Sequence, residues 1–241
     1  RPIVTLLAFQ ALGGKDIRQA VDLAAALELI HSATLIHDDI IDAADTRRGV
    51  ATVNVQWGNQ IAVLLGDYLF AKAFDLLSRI RHTDVAPTLA EATVKMSQAE
   101  IIQVKYGAEP HADEGIYFQI IAGKTAHLFS AACRAGALLA GNTVAAGQLG
   151  AVGLDWGMAF QITDDALDVT SRSDEIGKPV QSDIGSGKVT LPVIHALQRA
   201  SAEDHARLRG LLSGPLRDGQ ADEVQQLLRR YGGVDYALDV A

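Results

Sequence analysis

The sequence contains one cysteine, only 5% aromatic residues, and fewer basic than acidic residues. A single cysteine excludes a disulfide framework and indicates a reducing compartment, so we expect a cytoplasmic protein. The scarcity of aromatic rings leaves an aliphatic core, which favours packed helices over a β-sandwich. The chain has 21 Lys and Arg against 29 Asp and Glu, for a net charge of -8. This balance argues against a surface that binds nucleic acid or anionic membranes.

A stretch without charged residues, 135–154, is about long enough to span a bilayer. It contains five glycines together with Asn142 and Gln148, so its hydrophobicity is weak. We interpret it as two buried helices with a turn at Gly141-Asn142. The sequence therefore predicts no transmembrane segment.

Apolar residues recur with helical spacing along almost all of the 241 residues, and no alternating β-branched run stands out. Asp113, Asn142 and Ser201 are suitable helix N-caps. Long loops are expected only at 44–57 and 171–188. The helices are expected near 3–12, 16–43, 58–80, 85–106, 114–140, 143–172, 189–199, 202–213 and 219–231. No composition shift marks a boundary, so these patterns predict one all-α domain over 1–241.

Two similar aspartate clusters are the most informative feature: Asp-Asp-Ile-Ile-Asp at 38–42 and Asp-Asp-Ala-Leu-Asp at 164–168. Residues i and i+4 of a helix lie on one face, so the first and last carboxylates of each cluster stack. Like charges at this spacing in apolar segments need a counter-charge, and oxygen-only ligands favour Mg²⁺ or Ca²⁺. One such cluster can be a solvated acidic surface. Two of them in apolar helices predict a metal site.

Carboxylates that bind Mg²⁺ often share it with a phosphorylated partner, because Mg²⁺ keeps part of its shell for phosphate oxygens. The basic residues that such a partner needs are present at Arg47-Arg48-Gly49, Lys124-Thr125, Gly177-Lys178 and Gly187-Lys188. Each of these on its own can be an ordinary surface charge. The absence of a G-x-x-x-x-G-K-[ST] loop excludes a P-loop nucleotide enzyme.

These motifs, with Gly157-Met158-Ala159-Phe160-Gln161 before the second cluster, resemble the paired aspartate-rich motifs of trans-isoprenyl diphosphate synthases. The similarity covers essentially the whole chain and is greatest to long-chain octaprenyl and decaprenyl diphosphate synthases. It implies the isoprenoid synthase fold, a single bundle of long helices around a central catalytic cavity, usually in a homodimer. It also implies condensation of isopentenyl diphosphate with an allylic farnesyl or geranylgeranyl diphosphate.

The resemblance further implies three Mg²⁺ per site, which bridge the allylic diphosphate to both clusters. Asp38, Asp42 and Asp164 would be direct ligands, and Asp39 and Asp168 outer-shell or water-mediated ligands.

The resemblance assigns the substrate contacts to basic and cavity-facing residues. Arg47, Lys124 and Lys178 would hold the allylic diphosphate and act in catalysis with the aspartates. Arg48 and His31 would hold isopentenyl diphosphate, and His31 lies two turns before Asp38 on almost the same face. The other expected substrate-binding residues are Thr125, Phe160, Gln161 and Lys188.

Small residues one turn before the first cluster predict the product. The growing chain must pass beside this helix, so a bulky side chain just before Asp38 would block it. Ala33 and Thr34 are both small, and in the family both positions set chain length. We therefore expect a long-chain trans-polyprenyl diphosphate.

Family members carry a Gly-Gly-Lys-Arg-x-Arg-Pro segment, of which this sequence contains only Arg1-Pro2. The domain is therefore expected to be truncated at both ends, or else its second substrate site is incomplete. The incomplete segment keeps open a non-catalytic subunit of a heteromeric prenyl synthase. A terpene cyclase is a further alternative, although cyclases usually replace the second aspartate cluster. A plain metal-binding helical bundle leaves the basic residues unexplained.

Overall fold

A computed structural model of the chain describes residues 1–106, 113–170, 188–214 and 219–241. Within these ranges the structure is helical except for one two-stranded hairpin, so the all-α prediction is confirmed. The helices are α1 Pro2–Ala11, α2 Ile17–Ile41, α3 Val53–Trp57, α4 Asn59–Ser78, α5 Val85–Tyr106, α6 Glu114–Ile121, α7 His127–Leu139, α8 Thr143–Thr170, α9 Leu191–Arg199, α10 Ala202–Leu212, α11 Gln220–Arg230 and α12 Gly233–Val240. A π-helical segment, Ala122–Ala126, joins α6 to α7.

The chain forms two compact units. The first contains residues 1–95 and 127–154, and the second contains residues 96–126 and 155–241. Helices α5 and α8 each contribute residues to both units. That the whole chain is one domain stays a prediction.

In the first unit, α2 packs against α4 and α1 packs against α7. Asp16 caps α2 by accepting a hydrogen bond from the backbone N–H of Gln19. The predicted apolar face of α2 is buried, with Leu23, Leu27 and Ile30 fully inaccessible to solvent. Burial of each such side chain contributes about 1.5–3 kcal/mol. This packing holds the helix that ends at the first aspartate cluster.

In the second unit, helices α9 to α11 pack around the end of α8. Val169 of α8 joins Val193, Val224 and Leu228 in one buried cluster. One face of α8 packs against these side chains, and residues on its other face, such as Asp164 and Leu167, are exposed. The packing therefore anchors the helix that carries the second aspartate cluster.

The three predicted N-caps are confirmed. The side chains of Asp113, Asn142 and Ser201 each accept a hydrogen bond from the backbone N–H three residues later, at 2.9–3.2 Å. The predicted turn in the apolar stretch 135–154 is also present, with φ of 84° at Gly141. Among the described residues, α2 is the one helix long and apolar enough to cross a membrane by length and composition alone. A buried core helix meets the same criterion.

Two regions differ from the sequence expectation, and a third lies outside the described residues. The expected loop 44–57 contains strands β1 Thr46–Arg47 and β2 Val50–Ala51, followed by α3. The helix expected at 219–231 ends as expected, since α11 stops at Arg230 and Gly232 adopts a φ of 66°, but α12, which begins directly after it, was not expected. The second expected loop lies outside the described residues from 171 to 187.

Candidate active site

The first and last aspartates of the first cluster lie one turn apart at the end of α2, as predicted. The backbone N–H of Asp42 donates to the carbonyl oxygen of Asp38 at 2.8 Å, and Asp42 is the C-cap residue. Asp42 is exposed and Asp38 is partly buried. Two carboxylates of the motif thus lie on one side of the helix end.

The second aspartate of this cluster, Asp39, is buried and binds an arginine of the same motif. Asp39 is only 4% exposed, and its Oδ1 accepts hydrogen bonds from Nε of Arg47 at 2.8 Å and from a terminal nitrogen of Arg47 at 2.7 Å. Such charge-assisted bonds are about twice as strong as neutral ones. Asp39 therefore holds an arginine, and its part in metal binding stays a prediction.

A β-hairpin presents the two arginines that follow the cluster. Thr46 pairs with Ala51 and Arg47 with Val50, which leaves Arg48 and Gly49 as the two turn residues. Both have positive φ, 52° and 77°, as a tight two-residue hairpin turn requires. Gly49 adopts this conformation readily, whereas Arg48 does so against its backbone preference. The exposed Arg48 side chain is thus displayed at the tip of the turn.

Helix α4 fixes the last turns of α2 by a close contact at a glycine. A Cβ atom on Gly66 would lie 2.2 Å from Nε2 of His37. The same His37 nitrogen is 3.1 Å from the carbonyl oxygen of Val63. Gly66 therefore lets the residue directly before Asp38 pack tightly on α4.

His31 lies in a cationic environment within the first unit. Burial, the largest cause, and the positive charges of Arg1, Arg47 and Arg48 together lower its pKa to about 4. A group surrounded in this way is neutral near pH 7 and donates a hydrogen bond rather than a charge. The arginines themselves supply the positive field that an anionic ligand needs.

The two residues expected to set product length differ in exposure. Ala33 is fully buried, whereas Thr34 is partly exposed. The hydroxyl of Thr34 donates to the carbonyl oxygen of His31 at 2.8 Å. Because this bond ties the hydroxyl to its own helix, the γ-methyl group is the part of Thr34 that can contact an apolar ligand.

The second cluster repeats the division seen in the first. Asp164 is exposed and Asp168 partly exposed, while Asp165 is only 5% exposed. The two oxygens of Asp165 accept hydrogen bonds from the hydroxyl of Tyr117 at 2.7 Å and from Nε2 of Gln161 at 2.8 Å. The middle carboxylate is thus buried, and the outer pair is at least partly exposed.

The network continues to Thr125, which directly follows the predicted basic residue Lys124. Oγ1 of Thr125 donates to Oε1 of Gln161 at 2.8 Å. Thr125 and Lys124 both lie on the π-helical segment, a type of insertion that is frequent at functional sites. A Cβ atom on Gly157 would lie 2.5 Å from Cα of Ala126, so this glycine allows α8 to approach the segment. Thr125 and Gln161, two predicted substrate-binding residues, are therefore joined by a direct hydrogen bond.

The sequence interpretation missed two residues of this group, Tyr117, which donates to Asp165, and Glu100. Nζ of Lys124 lies 2.5 Å from Oε2 of Glu100 on α5, which had no expected role. Phe160 is 48% exposed one turn before Asp164, and Lys188 is partly buried. Lys178 lies outside the described residues.

The donors available in each unit fit a hard divalent cation. Both outer pairs are carboxylates, the ligands that Mg²⁺ and Ca²⁺ prefer. Across the described ranges, no three His, Cys, Asp or Glu side chains come together as a group that could hold a metal ion. Two carboxylates with water and phosphate oxygens are a usual Mg²⁺ environment, so the pairs fit this ion with a phosphorylated ligand.

Residues 1–231 match the family model described as polyprenyl synthetase. The chain is 39% identical over 237 residues to the all-trans-nonaprenyl-diphosphate synthase (geranyl-diphosphate specific) of Rhodobacter capsulatus, covering 98% of this chain and 72% of that protein. It is 40% identical to a short chain isoprenyl diphosphate synthase of Methanothermobacter thermautotrophicus, and the match covers 100% of this chain and 75% of that protein. A crystal structure of polyprenyl synthase from Caulobacter crescentus, complexed with calcium and isoprenyl diphosphate, superposes with a TM-score of 0.91 at 34% identity, covering 99% and 73%.

Proposed function

Because the chain belongs to the polyprenyl synthetase family, we propose that it condenses isopentenyl diphosphate with an allylic prenyl diphosphate to give a long-chain trans-polyprenyl diphosphate. The chain is a polyprenyl diphosphate synthase, an enzyme that transfers prenyl groups. One observation carries the proposed chemistry. In both aspartate clusters the middle carboxylate, Asp39 or Asp165, is buried, and the outer pair is at least partly exposed.

We infer that the outer pairs hold Mg²⁺, three ions per site. A divalent cation is supported by the carboxylate donors and by the calcium and isoprenyl diphosphate bound to the Caulobacter relative. When bound, Mg²⁺ supplies positive charge that stabilises the departing diphosphate. Asp38, Asp42 and Asp164 would be direct ligands, and Asp168 an outer-shell ligand.

The basic side chains would bind the two substrates. Lys124 and Arg47 would neutralise the allylic diphosphate as its C–O bond breaks, and donors placed in advance for such charge are a large term in catalysis. Arg48 and the neutral His31 would orient isopentenyl diphosphate, whose double bond attacks the allylic carbocation. The released diphosphate is the proposed base that removes the last proton. Lys178, Lys188, Thr125, Phe160 and Gln161 complete the proposed substrate contacts.

The direct test is incubation of the protein with Mg²⁺, labelled isopentenyl diphosphate and geranyl, farnesyl or geranylgeranyl diphosphate, followed by sizing of the products. A ladder of linear prenyl diphosphates that ends in a long chain is expected. Cyclic hydrocarbons would indicate a terpene cyclase. Absence of turnover until a second protein is added would indicate a subunit of a heteromeric synthase.

The titration of His31 should report the binding of diphosphate. Its pKa is about 4 in the free protein, because burial and nearby arginines disfavour the imidazolium. A bound anion partly cancels the arginine charges, so inorganic diphosphate should raise this pKa. NMR of the imidazole Cε1–H group against pH measures the effect. A pKa that remains near 4 at saturating diphosphate would place the anion away from His31.

The low pKa of His31 in the folded protein also makes the stability of the fold depend on pH. Between about pH 6.5 and pH 4 the unfolded chain binds a proton at His31 that the folded chain excludes. Protonation of His31 therefore favours the unfolded chain. The free energy of unfolding is unaffected by this group above about pH 6.5 and falls as the pH is lowered from about 6.5 to about 4.

Product length should respond to Thr34. A phenylalanine there places a ring where the γ-methyl group now stands, so T34F should shorten the dominant product by several isoprene units. T34V keeps the shape while removing the hydroxyl, and its products should match those of the wild type. Sizing of the products measures both. A33F has a different cost, because enlarging the fully buried Ala33 strains the core by about 1–3 kcal/mol. An unchanged product distribution in folded T34F would contradict the proposal.

We further propose a cytoplasmic homodimer. In the first unit Ile61, Leu64 and Tyr68 are exposed at helical spacing along α4, each at 49–63% of its surface, and Trp57 at the end of α3 is 62% exposed. An apolar row of this kind is a suitable surface for a second copy of the chain. The one cysteine, Cys133, is a buried free thiol, as suits a reducing compartment. Sedimentation equilibrium of the active protein measures the assembly.

A further inference from the structure

The pair formed by Glu100 and Lys124 is a specific contact within the second unit. Nζ of Lys124 and Oε2 of Glu100 are 2.5 Å apart, and the side chains are 22% and 17% exposed. Surface pairs are worth little because solvent screens them and long side chains lose freedom. This pair is largely removed from solvent, so its charges interact more strongly than those of a surface pair.

The remaining oxygen of Glu100 makes the carboxylate unusually dependent on this lysine. Oε1 of Glu100 is buried and has no hydrogen-bond partner among the described residues. Nearly all buried polar groups are satisfied, and a buried charge without a counter-charge is costly. A glutamate that served only to fill space at this position would therefore be costly. This indicates that the negative charge of Glu100 serves to hold the Lys124 ammonium.

Lys124 is the kind of residue that benefits from such a partner. A lysine ammonium is a compact charge at the end of a flexible four-carbon stem, so it loses much conformational freedom when it binds a ligand. A carboxylate that already holds the ammonium reduces that loss. The ammonium has three N–H donors, so a bond to Glu100 is compatible with bonds to phosphate oxygens.

We propose that Glu100 is a positioning residue that holds the Lys124 ammonium in place for the diphosphate of the allylic substrate. The proposal rests on the proposed function, in which Lys124 binds that group. The π-helical segment sets the backbone of Lys124 from one side, and Glu100 on α5 sets its charged end from the other. Loss of Glu100 should therefore affect the allylic substrate and leave the binding of isopentenyl diphosphate unchanged.

A double-mutant cycle tests this coupling. The variants are E100Q, K124Q and the double variant, and the measured quantities are kcat and the KM of each substrate. In the wild-type background E100Q should lower kcat/KM for the allylic diphosphate about ten- to a hundredfold. In the K124Q background the same change should have less than about a twofold effect, since there is no ammonium left to position. The KM for isopentenyl diphosphate should stay the same throughout.

The outcomes separate this proposal from the proposed function. A wild-type protein that forms no prenyl product contradicts the proposed function. An active wild type in which E100Q has no effect, or an equal effect in both backgrounds, overturns the role of Glu100. E91Q is the matched control, since Glu91 is exposed on the same helix and E91Q should keep wild-type kinetics.

Chemical labelling provides a measurement that does not need turnover. Competitive acetylation with acetic anhydride, read by mass spectrometry, reports how readily Lys124 reacts as a free amine. Glu100 holds the Lys124 nitrogen in a contact that is largely removed from solvent, so Lys124 should react several times faster in E100Q than in the wild type. Equal labelling of Lys124 in the two proteins would overturn the proposal even if E100Q were inactive.

Discussion

Replacement of Asp38 by asparagine should lower kcat by about 10²–10³-fold. A neutral amide oxygen is a much weaker ligand than a carboxylate for a hard divalent cation, and D38N should also require more Mg²⁺ for half-maximal activity. D164N should behave in the same way, because Asp164 is the corresponding exposed residue of the second cluster. Steady-state kinetics over a range of Mg²⁺ concentrations measures both effects.

The adjacent aspartate should respond differently, although it belongs to the same motif. Asp39 holds Arg47 at 2.7–2.8 Å, so D39N should raise the KM for a diphosphate substrate while leaving the Mg²⁺ requirement unchanged. D155N, at an exposed position of α8, is the control and should keep wild-type kinetics. If D39N and D38N change the Mg²⁺ requirement equally, the division between outer and middle carboxylates is wrong.

Substitution of Gly157 by alanine should disrupt the second unit where α8 meets the π-helical segment. The added Cβ would lie 2.5 Å from Cα and 3.0 Å from Cβ of Ala126, neither of which can rotate away. Overpacking of this kind costs about 1–3 kcal/mol, more than the roughly 1 kcal/mol that alanine gains in helix propensity. The helices must separate, which lengthens the 2.8 Å bond from Thr125 to Gln161. A displacement of about 1 Å can cost about a hundredfold in rate.

A second glycine on α8 provides the control. Nothing lies within 4 Å of the position that a Cβ on Gly147 would take. G147A should therefore raise the free energy of unfolding by up to about 1 kcal/mol without changing kcat. Thermal or denaturant unfolding and steady-state kinetics compare the two variants. A G157A protein as stable and active as G147A would show that the close approach at Ala126 is unimportant.

Local sequence signals predicted most of the described helices. The buried face of α2 and the caps at Asp113 and Ser201 depend on residues a few positions apart, so their pattern is visible in the sequence. Helix α12 was missed because two adjacent glycines usually end a helix, whereas here Gly232 makes a turn between two helices. The hairpin was missed because its strands have only two residues each.

The composition of the site was more predictable than its internal contacts. That the outer aspartates of each cluster lie on one side of their helix follows from helical spacing alone. The partners of the middle aspartates do not, because Tyr117 lies 48 residues from Asp165 and Arg47 is joined to Asp39 through a hairpin. Glu100 lies in the middle of an ordinary helical pattern, and no local signal distinguishes it from a surface glutamate. Contacts of this kind depend on tertiary packing, which one sequence does not display.

The turn at Arg48-Gly49 has a consequence for attempts to make the protein more heat-resistant. A φ of 52° favours glycine or asparagine over arginine, so a procedure that ranks substitutions by backbone preference would choose R48G or R48N. Either change would relieve strain and raise the melting temperature while removing a guanidinium proposed to hold isopentenyl diphosphate. Engineering of this chain for thermostability should therefore leave Arg48 unchanged.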